Sequence, residues 1–111
     1  MDDKLKIIKI YKVILNDIYV SMINIPKVHY ALKELVINDM FRYLNNLYLA
    51  NDIEDKCIRI KKKEEVVISF KYIASLIRML NEYKILGQNK YIEIVRNEEI
   101  LLRLMNSWKK V

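Results

Sequence analysis

Residues 53–87 read IEDKCIRIKKKEEVVISFKYIASLIRMLNEYKILG. The 34 positions before Gly87 contain no proline and no glycine. Val66, Phe70, Ile73, Ile77 and Leu80 step by four and three, which is the spacing of one buried helix face and not of a strand. An unbroken helix over 53–86 would be about 50 Å long. Ile53, Cys57 and Ile60 form an earlier stripe, and the run Lys61, Lys62, Lys63, Glu64, Glu65 lies between the two. The reading therefore expects a change of register near Lys61, by a local irregularity or a bend, with Cys57 as a small buried hydrophobe. Gly87 falls where a left-handed residue would close this helix.

The flanking segments repeat the pattern. Asp2 and Asp3 suit the start of a first helix over 3–24. Ile8, Tyr11, Leu15, Ile18, Met22 and Ile25 form its seam, widened by Ile7 and Ile14. Pro26 ends it, because the residue before a proline avoids the helical region. A second helix is expected over 28–50, with Leu32, Val36, Met40, Tyr43, Leu47 and Ala50 on its seam and Leu35, Leu44 and Tyr48 broadening it. Asp52 can cap the third helix and Asn89 the fourth, over 90–110. There Tyr91, Ile94, Leu101, Met105 and Trp108 form the seam, with Val95 and Leu102 beside it and Glu98 and Glu99 interrupting it. Lys109 and Lys110 suit the negative end of that helix. Four amphipathic helices with short connections predict an all-α fold, an antiparallel up-down four-helix bundle, in a single domain over 1–111.

Composition narrows the function. The chain has 111 residues with one Gly, one Pro, one Cys and one His. So few turn residues argue against an all-β fold. A lone Cys excludes an intramolecular disulfide framework and fits a reducing compartment. A single glycine excludes a phosphate-cradling glycine loop. One His and one Cys leave little for a zinc site or a nucleophilic triad. Di-iron bundles need Glu-x-x-His pairs, and this chain has none. The adjacent pairs Glu64/Glu65 and Glu98/Glu99 point to different helix faces, so a carboxylate Mg²⁺ site, and with it a nuclease role, has no positive support. The expectation is a protein that is not an enzyme, needs no cofactor or metal and has no catalytic residues. No window reaches the ~20 apolar residues of a membrane span and Met1–Lys4 lacks a basic leader, so a cytoplasmic protein with no membrane partner is expected.

The net charge of +6 is unevenly spread: residues 1–55 hold 7 Lys/Arg and 8 Asp/Glu, and residues 56–111 hold 13 and 6. That asymmetry points to an anionic partner, most simply an RNA or DNA backbone. On a helical wheel Lys56, Arg59, Lys63, Lys71 and Arg78 fall within about a third of a turn. The candidate nucleic-acid- and partner-binding residues are Arg59, Lys61, Lys62, Lys63, Lys71, Arg78, Arg96 and Arg103. A solvated basic face is the alternative. So is a structural helical-bundle protein-interaction module with no nucleic-acid role.

Three stretches in order resemble one family. Residues 25–27, IPK, are similar to its F-P-K corner, followed by a helix ending in LYLA at 47–50 and then Lys56. Residues 76–84, LIRMLNEYK, resemble its L-L-R-L-x-x-x-L-K stretch, running on to Tyr91. Residues 102–109, LRLMNSWK, resemble its G-R-M-L-G-G-W-L ending, with Leu102, Asn106 and Ser107 in place of three glycines and Ile25 in place of the aromatic. This is the Avd-like four-helix-bundle family, which includes accessory proteins of diversity-generating retroelements and relatives encoded in ribosomal RNA intervening sequences. The resemblance implies a basic, non-catalytic homo-oligomer, a pentameric barrel. It also implies that the barrel binds nucleic acid and a reverse transcriptase during mutagenic copying of a template RNA.

Overall fold

The computed structural model describes residues 3–111. Met1 and Asp2 lie outside the described residues, as does the side chain of Asp3, and with them the N-cap expected there. Among the described residues there are four α-helices and no strand: α1 (Asp3–Ser21), α2 (Tyr30–Asn51), α3 (Lys56–Glu82) and α4 (Gln88–Trp108). A 3₁₀ turn, Lys27–His29, leads into α2. Cross-helix contacts set the directions. Asp17, near the end of α1, pairs with Lys90 at the start of α4. Tyr43 of α2 reaches Val66 of α3, and the last residue of α2, Asn51, meets Trp108 at the end of α4. The chain therefore runs up-down-up-down, and each helix packs on its two neighbours in a ring α1–α2–α3–α4. The pairs α1/α4 and α2/α3 are packed more extensively than α1/α2 and α3/α4, leaving the latter two seams more open.

The core follows the expected seams. Ile7, Tyr11, Ile14 and Ile18 of α1, Val36, Met40 and Leu47 of α2, Phe70, Ile73 and Ile77 of α3, and Ile94, Leu101 and Met105 of α4 are all buried. Tyr11 and Tyr43 stack at 5.1 Å between ring centroids, and Tyr43 meets Phe70 at 5.8 Å. A buried hydroxyl needs an acceptor. Tyr11 Oη donates to the Met40 carbonyl at 2.6 Å and Tyr43 Oη to the Val66 carbonyl at 2.6 Å. Burial pushes both phenols far above their ordinary pKa, so they are protonated donors. Leu35 and Tyr48, expected to broaden the buried face of α2, are exposed.

The helix ends differ from expectation in instructive ways. α1 stops at Ser21, three residues early, where Ser21 Oγ bonds back to the Asp17 carbonyl. α3 begins at Lys56, because Asp55 and not Asp52 supplies the cap: Asp55 Oδ1 accepts from the Ile58 amide at 2.9 Å. Asp52 instead closes α2. α3 then runs without a break to Glu82. It ends in a Schellman turn, in which the Ile85 amide bonds the Leu80 carbonyl and the Lys84 amide bonds that of Asn81. The left-handed residue of that turn is Lys84, at φ 60°. Gly87, expected in that role, has φ −69° and stands at the N-cap of α4. Asn89 consequently lies inside the first turn of α4.

Candidate nucleic-acid interface

The continuity of α3 decides where its basic residues go. With no register change, the stripe at 66, 70, 73, 77 and 80 extends backwards by steps of three and four onto Lys63 and then Arg59. The expected shift near Lys61 is absent, and the stripe through Cys57 is not the buried one: Cys57 is exposed, as is Ile58. Lys63 is only 4% exposed, which removes it from the set of surface cations. Its aliphatic stem lies in the core seam while its ammonium reaches the end of α4, 3.4 Å from the Trp108 carbonyl and 4.7 Å above the Trp108 ring. A cation there meets the negative end of the helix dipole and the face of an indole.

Arg59 is likewise withdrawn. Its Nε donates to the Val111 carbonyl at 3.1 Å. One terminal nitrogen donates to the carbonyls of Ile53 and Glu54 at 3.1 and 3.0 Å. The fork thus ties the α2–α3 connection to Val111, with its Nε and one terminal nitrogen bonded to main-chain oxygens. Trp108 completes this end of the bundle: its Nε1 donates to Asn51 Oδ1 at 2.8 Å, and Asn51 Nδ2 donates to the Leu47 carbonyl.

The remaining candidates divide into two groups. Lys61 is exposed and Lys62 half-buried. Lys62 shares a helix face with Ser69 and Ile73, which line a cleft with Asp39 and Arg42 on the α2 side, and so points away from Lys71 and Arg78. Lys61 lies above Tyr72, between that face and Lys71. Lys71, Arg78, Arg96 and Arg103 are all exposed. Lys71 and Arg78 are seven residues apart on α3, and Arg96 and Arg103 seven apart on α4. Each pair forms a row along one helix with about 10 Å between its members. Lys71 borders the α3/α4 seam, whereas Arg96 and Arg103 lie about 180–200° around α4 from buried Ile94 and face outward on the same side of the bundle.

On the α3/α4 seam lies a cleft of about 370 Å³, lined by Val67, Lys71, Ala74, Leu102, Asn106 and Lys109. Lys109 is a further cation of this face that wheel analysis of the third helix could not supply. Glu98 is half-buried on the same seam. Burial pushes its carboxyl up to about 7, the Arg78 guanidinium draws it down, and Glu99 pushes it up. Near neutrality this carboxylate is partly neutralised, which lowers the negative charge within the basic face.

The ring order gives the charge asymmetry a spatial meaning. α3 and α4 are adjacent, so the half of the chain with 13 Lys/Arg and 6 Asp/Glu forms one side of the bundle. The balanced half, α1 and α2, forms the other. Among the described residues no group of three or more His, Cys, Asp or Glu side chains is placed to hold a metal ion. No helix among them is long and apolar enough to cross a membrane. Comparison with protein families, with curated proteins and with solved structures finds no match for this chain.

Proposed function

We propose that this chain is a non-enzymatic, basic helical-bundle protein that binds the backbone of RNA or DNA on its α3/α4 side. The observation that carries this is the segregation of charge. Lys71, Arg78, Arg96 and Arg103 stand exposed in two rows on the side holding the whole positive excess. Rows of cations without aimed hydrogen-bonding partners position a phosphate chain and read no sequence. Binding should therefore be strongly salt-dependent and nearly indifferent to sequence. With four phosphates neutralised on a duplex, affinity should fall roughly 100-fold between 50 and 200 mM salt. The quadruple variant K71E/R78E/R96E/R103E should lose binding and the salt slope together. Unchanged affinity in that variant, measured by fluorescence anisotropy, would refute the proposed face.

On this reading the protein serves as the accessory factor of a diversity-generating retroelement, presenting nucleic acid to a reverse transcriptase as a homo-oligomer, a pentamer. This finer assignment is supported by the sequence resemblance around Pro26, residues 76–84 and Trp108. It is also supported by the apolar side chains that the opposite side leaves exposed. Tyr19, Phe41 and Tyr48 are 50%, 49% and 41% exposed, and a cleft of about 280 Å³ opens between α1 and α2 there. Copies of the chain would associate on that surface. Native mass spectrometry at low salt should give a mass near five times the 13.4 kDa of one chain. A monomer free of nucleic acid would favour a second reading, in which the same apolar surface docks another helical protein.

A further inference from the structure

The end of the bundle where the α1–α2 and α3–α4 connections meet carries a feature that neither the charge rows nor the apolar side explains. A cleft of about 400 Å³ opens there, within the size range of small-ligand sites. Asn24, His29, Tyr83 and Lys84 are among its lining residues. Tyr83 is 53% exposed, and its ring meets His29 at 5.8 Å between centroids. The neighbouring Tyr30 is also half-exposed, with Lys33 Nζ 5.7 Å from its ring centroid. Lys84 is exposed, as is Lys27 next to the lining residue Pro26. The rings of Tyr83 and His29 with Lys84 in the lining of one open cleft supply the elements on which an unpaired base stacks while a lysine holds the phosphate. A duplex, whose bases are already stacked, has no use for such rings.

Lys84 strengthens the case. Its φ of 60° is a conformation that glycine adopts freely and that costs an L-residue about 1–2 kcal/mol. Gly87, the one glycine of the chain, stands three residues later where its φ is ordinary. A lysine held at the rim of a cleft in a conformation that glycine would adopt without strain is consistent with a use for its side chain.

We propose that this cleft binds an unpaired nucleobase of a single-stranded nucleic acid, stacked on Tyr83, with the adjoining phosphate on Lys84. The inference rests on the nucleic-acid reading above and adds a preference for single strands. The test compares a fluorescein-labelled oligothymidylate with a blunt duplex of equal length, by anisotropy. Variants Y83A, Y83F and R96E/R103E are measured, each checked by circular dichroism melting. Y83A should weaken single-strand binding roughly 5- to 100-fold and leave duplex binding unchanged. Y83F should bind like the parent, and R96E/R103E should weaken both probes. Equal loss on both probes in Y83A, or no loss on the single strand, would overturn the cleft while leaving the basic face standing. If the parent protein binds neither probe, the nucleic-acid reading fails and the cleft assignment fails with it. Loss in Y83A with no effect of R96E/R103E would support the cleft and refute that part of the face.

Discussion

Replacing Lys84 with glycine should stabilise the protein, against the usual expectation that glycine loosens a chain. Lys84 occupies the left-handed position of the Schellman turn that closes α3, at φ 60°. There the Cβ of an L-residue costs about 1–2 kcal/mol. Glycine relieves this but loses more backbone freedom on folding, by about 0.4–1 kcal/mol. The net expectation for K84G is a gain of about 0.5–1 kcal/mol. Unfolding entropy of about 2.1 cal/mol/K per residue amounts to about 0.23 kcal/mol/K for 111 residues, so Tm should rise by about 2–4 °C. Circular dichroism melts and urea titrations followed by the fluorescence of Trp108 would both measure it. The turn's hydrogen bonds, from the amides of Ile85 and Lys84 to the carbonyls of Leu80 and Asn81, use main-chain atoms only, so the substitution leaves them intact. An unchanged or lower Tm would show that the lysine is not strained there. It would also remove the argument that its side chain is retained for binding.

Other expectations follow from the same contacts. Asn51→Leu should cost about 1–3 kcal/mol by leaving the Trp108 indole N–H without its acceptor. Asn51→Asp, which keeps an oxygen there, should cost less, and urea midpoints distinguish the two. Glu98 has a folded-state pKa raised to about 7 from 4.5. Its contribution favours the folded state below the unfolded pKa and is lost as pH rises through that interval. Screening by the solvent it still touches reduces the effect to about 1 kcal/mol. Glu98→Gln should therefore be neutral at about pH 5 and more stable than the parent at about pH 8, and equal stability at both would contradict this.

The seams of all four helices were legible because apolar periodicity survives translation into burial: Tyr11, Met40, Phe70 and Leu101 are buried as their spacing requires. Helix ends were less legible, since several residues of similar capping chemistry compete and local geometry selects among them. Asp55 displaced Asp52, and Lys84 took the left-handed conformation expected of Gly87. The positive excess was legible as a count, and the exposure of two of the candidate cations was misread. Arg59 and Lys63 look like surface cations when the run of lysines is taken for a break in the stripe. Extending the stripe through it by threes and fours would have placed Lys63 against the core and Arg59 on the same stripe at its edge.

Composition and periodicity alone determined that this chain is helical, that four segments share one core, and that its positive charge belongs to the second half. These are properties of single helices and of counting, and they need no knowledge of neighbours. The tertiary structure decided the rest. It closed the helices into a ring that sets α3 beside α4 and so turned a difference between two halves of a sequence into two sides of a molecule. It also carried Lys63 to the Trp108 carbonyl at the end of α4 and Arg59 to the Val111 carbonyl beyond it, and brought His29 against Tyr83, residues that no local pattern relates. Contacts between residues far apart in the chain arise only from packing, because the hydrophobic seams specify that faces meet without specifying which polar groups are carried with them.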